Sequence, residues 1–234
     1  MLWRFRPTLW PTVMSIPAFL VLLGLGTWQV ERLAWKEGLI RTLASRTSAP
    51  PIALPKDASD IEESEYHRVR LEGEWLNDRE LFQTGQTYNG VAGWDVITPF
   101  RTKTGELVLV DRGWIPLERK DPARRAEGEI AGPTTAEAII FRDLRRGYFQ
   151  PDNEPARNLW FFIDTQAMAR AAGVDPVKPY LLVALRSPIP GGFPIGGEIK
   201  VALRNEHLSY AITWYSLALA LLVIYGLYHT KRVE

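Results

Sequence analysis

PTLWPTVMSIPAFLVLLGLGTWQV, residues 7–30, carries no charged side chain, and neither does HLSYAITWYSLALALLVIYGLYHT, residues 207–230. Each run is 24 residues long, and about 20 mainly apolar residues are enough for a helix to cross a bilayer. The pair predicts two transmembrane helices, residues 9–30 and 207–228, with residues 1–8 and 229–234 as cytoplasmic tails. A cleaved secretory signal would have a shorter apolar core, roughly 7–15 residues, ending in small side chains. Here Gly26-Thr27-Trp28-Gln29 puts a bulky ring at that end, so the first run is expected to stay as an anchor. Trp10 and Trp28 bracket it as interfacial residues, and Gly24 and Gly26 would let a neighbouring helix come close.

Working inward from the first run, Val30, Leu33, Ala34, Leu39, Ile40 and Leu43 continue an apolar stripe at helical spacing. It predicts a helical extension over residues 31–47, stopped by Pro50-Pro51, because the residue before a proline avoids helical angles. The period then changes to two. His67-Arg68-Val69-Arg70-Leu71-Glu72 alternates polar with apolar, and Glu106-Leu107-Val108-Leu109-Val110 reads as a buried strand. Turn residues at Asn77-Asp78, Asn89-Gly90 and Thr104-Gly105 separate short strands, which points to antiparallel meanders. Asp164 is the expected N-cap of a short helix to Ala172, and the charged stretch from Glu118 to Gly132 reads as a loop. The expected architecture is two transmembrane helices flanking an α+β extracytoplasmic domain, residues 48–206, built on a mostly antiparallel sheet or barrel.

Composition narrows the function. Without the tail charges Arg4, Arg6, Lys231, Arg232 and Glu234, the remainder holds 24 basic and 26 acidic residues. No basic face for phosphate contacts follows from that balance, so nucleic acid is not an expected partner. The absence of cysteine excludes disulfides and thiolate chemistry. Topology by charge is mixed. The basic tails favour cytoplasmic ends, while Arg32, Lys36, Arg41 and Arg46 count the other way, and the rule weakens over a long intervening loop.

No phosphate-binding loop, H-E-x-x-H or G-x-S-x-G is present, and the central region has a single histidine, His67, among arginines on a strand. No catalysis is expected. Arg112-Gly113-Trp114 closes a buried strand, and reads either as a bulge with a packed ring or as a ligand contact. The run Asp57 to Glu65 reads as a solvated face. The second apolar run says more. His207 and Trp214 lie seven residues apart, almost on one helical face and about 10 Å apart along the axis. Tyr210 and Ala211 fall near the same stripe. His207 could be an axial ligand at the membrane boundary, with Ala211 leaving space and Trp214 offering a flat ring. The same residues could equally make an ordinary interfacial belt.

Four blocks together resemble the Surfeit-locus-one family of cytochrome c oxidase assembly factors. Gly24-Leu25-Gly26-Thr27-Trp28-Gln29-Val30-Glu31-Arg32 is similar to its first-span signature. Gly93 to Phe100 and Val110 to Pro116 resemble its two central blocks. Asn205-x-His207-Leu208-x-Tyr210-Ala211-x-Thr213-Trp214-Tyr215 resembles its closing block, with Ser209 where the family commonly has glutamine. The resemblance implies an assembly factor for haem-copper oxidase that takes haem a from its synthase and assists its placement in the catalytic subunit. It implies His207 as ligand of the haem iron, with Trp214 and Tyr210 at the cofactor. Gly24, Trp28, Gln29, Arg112, Gly113 and Trp114 are its motif or partner-contact positions. A bacterial plasma membrane is the expected location, since Met1 to Trp10 leads straight into the span, with a mitochondrial inner membrane as the alternative. A haem-free membrane scaffold that stabilises assembly intermediates is the competing function.

Overall fold

The computed structural model describes residues 2–56, 58–142, 146–197 and 205–233. In chain order the elements begin with β1 (Leu2–Phe5), α1 (Leu9–Ser48), α2 (Ala58–Ser64), β2 (Arg68–Trp75), β3 (Leu81–Tyr88) and β4 (Val91–Thr102). They continue with β5 (Leu107–Pro116), β6 (Thr134–Arg142), α3 (Thr165–Ala172), β7 (Tyr180–Ala184), α4 (His207–His229) and β8 (Thr230–Val233). Two compact units result, residues 1–43 with 201–234, and residues 44–200.

The first unit is a helix pair. α1 runs 40 residues through Pro17 and ends two residues before Pro50, where the proline rule places the stop. Both α1 and α4 are long and apolar enough to cross a membrane. Little of that apolar surface is covered by protein: Leu20, Val21, Leu219 and Ile224 are each more than half exposed. The two tails are not loose ends. β1 and β8 pair antiparallel, Leu2 opposite Val233 and Phe5 opposite Thr230, a contact that local pattern does not announce.

The second unit is a small closed barrel. Its strands follow the order β2-β6-β7-β5-β4, and β4 returns to β2 through Gly73 opposite Thr102 and Trp75 opposite Phe100. β3 adds to the other half of β4 through the Asn89-Gly90 turn, both residues of which have positive φ, as a tight hairpin requires. β7 adds a parallel pairing to the mostly antiparallel sheet that was expected. It inserts between β5 and β6, which run in opposite directions, so it must be parallel to one of them; Leu109 pairs with Leu181 in parallel register on the β5 side. The sheet is therefore mixed.

Burial on both faces explains the continuous apolar run in β5. Val108 and Val110 point into the barrel with Val69, Leu71, Phe100, Ile140 and Leu182. Leu109 points outward, under α3 and its neighbours, with Trp160, Met168 and Leu181. Asp164 caps α3 as expected, its Oδ1 accepting the Ala167 N–H at 2.9 Å. Of the acidic run, Asp57 lies outside the described residues, while Asp60, Glu62 and Glu63 are on α2, whose Ile61 turns inward to the barrel core.

Candidate functional site at the helix pair

Two contacts join the first and last sequence blocks inside the first unit. Nδ1 of His207 lies 2.7 Å from Oε1 of Gln29. The Tyr215 hydroxyl lies 3.2 Å from Thr27 Oγ1. Between these, the Tyr215 ring sits on Gly26 so closely that a Cβ there would meet it at 2.7 Å. Gly26 is thus the close-approach residue, whereas Gly24 has nothing within 4 Å of where its Cβ would be. A small residue at Gly26 lets the helices come near enough for short polar side chains to reach across.

Not every expected residue joins this cluster. Trp28 is 50% exposed and Tyr210 56% exposed, and both face away from protein. Trp214 is half-buried, and Ala211 is buried, so the space it was expected to leave is already filled by protein. Gln29, by contrast, is only 8% exposed despite standing at the end of an apolar run. Tyr215 and Thr27 escaped the sequence reading; their presence within the matching blocks was the available signal.

The opposite end of the pair carries a second polar clamp. His229 is buried, its Nδ1 donating to the Tyr225 carbonyl at 2.8 Å and its Nε2 lying 2.9 Å from Thr8 Oγ1. Thr12 Oγ1 reaches Tyr225 Oη at 2.7 Å. Both ring nitrogens of His229 are engaged, whereas Nε2 of His207 has no hydrogen-bond partner among the described residues. From His207 to His229 the rise is about 33 Å at 1.5 Å per residue, close to the roughly 30 Å of a hydrocarbon core.

In the second unit, Arg112, Gly113 and Trp114 serve the domain's own interior. The Arg112 guanidinium is buried, donating to Asn77 Oδ1 at 3.1 Å and to the Gly128 carbonyl, with its Cζ 4.8 Å from the centre of the Trp75 ring. Glu80 stands 3.6 Å and Glu129 3.8 Å from it, and both also pair with buried Arg125. Two arginines thus face two carboxylates. Burial pulls the Arg112 guanidinium below its ordinary pKa and pushes Glu129 up. Gly113 has φ +114°, and a Cβ would lie 1.9 Å from the Ile195 carbonyl oxygen, so only glycine fits. Trp114 is buried against Tyr88 and Phe193. Arg125 and Glu129 come from the charged stretch expected to be a loop, which is irregular but carries short 3₁₀ turns. His67 is half-buried, and its Nδ1 lacks a hydrogen-bond partner.

A second acidic feature was missed. Asp95 and Asp111 lie near each other on the neighbouring strands β4 and β5, at a register shift between Asp95 and Ile97 that pairs Asp95 with Trp114 and Asp111 with Ile97. Asp111 accepts the Gly113 N–H at 2.8 Å. Burial pushes Asp95 up to about 6, and burial plus the Asp95 charge holds Asp111 well above the usual carboxylate range. A carboxylic acid inside a buried strand run was the legible signal. The folded state binds the Asp95 proton more tightly than the unfolded chain does. Its contribution is therefore complete at low pH and lost as pH rises through about 6. Over pH 5 to 7.5 the loss should be on the order of 1–1.5 kcal/mol, the rest falling between the unfolded pKa of about 4 and pH 5. Thermal melts of the detergent-solubilised chain should fall over that window, and Asp95→Asn should flatten the dependence. Wild-type melting that rises with pH would contradict the assignment.

Comparison with known proteins bears on the whole chain. A sequence model of the SURF1 family matches residues 16–219. A SURF1-like protein of Monosiga brevicollis is 40% identical over 217 residues, covering 88% of this chain and 82% of that protein. Surfeit locus protein 1 of Homo sapiens is 38% identical over 213 residues, covering 84% and 70% respectively. The Takifugu rubripes protein of the same name is 35% identical over 227 residues, covering 90% and 93%. The matched span contains Gln29, His207, Trp214 and Tyr215, and the Arg112 network with it.

Proposed function

Because the chain belongs to the SURF1 family, we propose that it is an assembly factor for haem-copper cytochrome c oxidase, held in the membrane by α1 and α4 and binding haem a through His207. Haem a is cargo in this reading, a macrocycle whose iron takes an axial imidazole. The donor fits that role. His207 has Nδ1 engaged by Gln29 and Nε2 without a partner among the described residues, at the end of a helix whose apolar surface is open to lipid. That arrangement is the observation that carries the proposal. Trp214, half-buried about 10 Å further along the helix, would supply a ring face to the macrocycle, and Tyr210 would flank it.

Membrane insertion is supported by the exposed apolar side chains of both helices, which water would not tolerate over so large an area. The proposed partners are the bilayer, the oxidase catalytic subunit and haem a synthase. The proposed membrane is the one that carries the oxidase, a bacterial plasma membrane or a mitochondrial inner membrane. Residues 44–200 act as a docking module without catalysis.

In a host lacking its own family member, the chain should restore the haem a absorbance of oxidase in the membranes. Failure with normal protein levels would overturn the assembly role. Full restoration by His207→Ala would instead support a haem-free scaffold. Topology has its own test. The Glu118 to Gly132 stretch, which holds part of the buried charge network, is a poor insertion site, but Tyr148 and Phe149 are fully exposed on a turn. Alkaline phosphatase inserted there should be active, because it works only after export, and inactive when fused after the last residue. The reverse pattern would sink the orientation.

A further inference from the structure

We propose that Gln29 is a positioning residue that fixes the tautomer of His207, so that Nε2 is the nitrogen presented to the haem iron; this rests on the reading of His207 as the axial ligand. An amide oxygen accepts and carries no hydrogen. With Oε1 of Gln29 2.7 Å from Nδ1 of His207, the ring proton is on Nδ1 and the lone pair on Nε2. A free imidazole has no such bias built into its surroundings, and the proton on Nε2 would block the nitrogen that lacks a protein partner. Buried at an apolar helix contact, Gln29 has a strong reason to keep this bond, since an unpaired amide there is costly.

The helix contact sets the register that makes the bond. Tyr215 seated on Gly26, with its hydroxyl at Thr27, holds α1 against α4 within one turn of Gln29. The side chain's chemistry also suits a carrier. A carboxylate on Nδ1 would make the imidazole a stronger, partly anionic ligand, whereas a neutral amide orients the ring and raises its basicity less. A site that must release its cargo gains from the weaker acceptor.

The test uses full-length protein in detergent with ¹⁵N-labelled histidine rings, made in cells without haem a, the His207 signals being assigned from the His207→Gln spectrum. Wild type should show Nδ1 protonated and Nε2 bare. Gln29→Leu should shift His207 toward the Nε2–H tautomer. In haem-a-producing cells it should retain about 10–100-fold less haem, the usual scale for losing a ligand's hydrogen-bond partner. Gln29→Glu keeps an acceptor and should restore both the Nδ1–H tautomer and haem, with a shifted absorption band. Thr27→Val removes the neighbouring interhelical bond and should leave the tautomer unchanged; a purely structural role for Gln29 would predict that both variants behave alike. A wild-type His207 protonated on Nε2 overturns the proposal, as does Gln29→Leu with wild-type tautomer and haem. If the tautomer responds to Gln29 as stated but no variant ever carries haem, the ligand reading fails while the Gln29–His207 assignment stands.

Discussion

Full-length protein carrying His207→Ala, purified from cells that make haem a, should retain on the order of 100-fold less haem than wild type. Loss of a hydrogen-bond partner behind a metal ligand costs about 10–100-fold, so loss of the ligand itself should cost at least the upper end of that range. Trp214→Leu keeps an apolar side chain and removes only the ring face, so haem should be held less tightly and the band position kept. His229 provides the contrast. Both of its nitrogens are engaged, by Tyr225 and Thr8, so it has no free donor for iron. His229→Ala should loosen the far end of the helix pair and leave the spectrum unchanged. Wild-type haem content in purified His207→Ala protein would remove His207 from the site.

Arg112→Leu should lower the stability of the second unit by about 3–5 kcal/mol, because removing one partner of a buried ion network leaves an uncompensated charge. Glu80 and Glu129 would then share Arg125 alone, in a region that excludes water. At about 2–4 °C per kcal/mol for a domain of this size, melting should drop by roughly 10 °C. Arg101→Leu is the surface control. Its pair with Glu74, at 2.8 Å, is half exposed and should be worth under about 1 kcal/mol. A partner-contact role for Arg112 predicts the opposite pattern, normal melting with lost oxidase assembly. Arg112→Leu protein that melts with wild type would refute the network's structural role, and lost oxidase assembly in that same protein would establish the partner contact.

What could be read from the sequence was local. Uncharged runs locate α1 and α4, because a run of that length without a charge is what a helix able to cross a bilayer requires. Asp164 marks the start of α3 and Asn89-Gly90 the β3–β4 hairpin, each through a contact a few residues away. What could not be read depended on pairing at long range. Arg125 looks solvated among its charged neighbours, since its partner Glu80 is 45 residues earlier. β7 sits beside β5 only because the chain returns after β6 to fill the gap, so its parallel pairing leaves no trace in its period. Asp95 and Asp111 each show in the sequence as a carboxylic acid within a strand run, but their closeness follows only once the two strands are side by side.

The site follows the same division. His207 and Trp214 were named as candidates from helical spacing, and Gln29 from the family resemblance. The contact between Gln29 and His207 was not legible, because 178 residues separate them. Ala211 illustrates the cost of reading one helix alone. On an isolated α4 it is a gap beside His207, but in the helix pair it is buried and the gap is gone. Gly26 rather than Gly24 makes the close approach, a distinction set by which residue faces Tyr215 and not by composition.

Haem a binding is read from the visible absorption spectrum of the wild-type chain, purified in detergent from cells that make haem a. Such binding predicts a haem a band that travels with the protein, at up to one haem per chain, and that is absent when the same protein comes from cells unable to make haem a. A colourless protein from haem-a-producing cells, correctly folded by its melting curve, would contradict it.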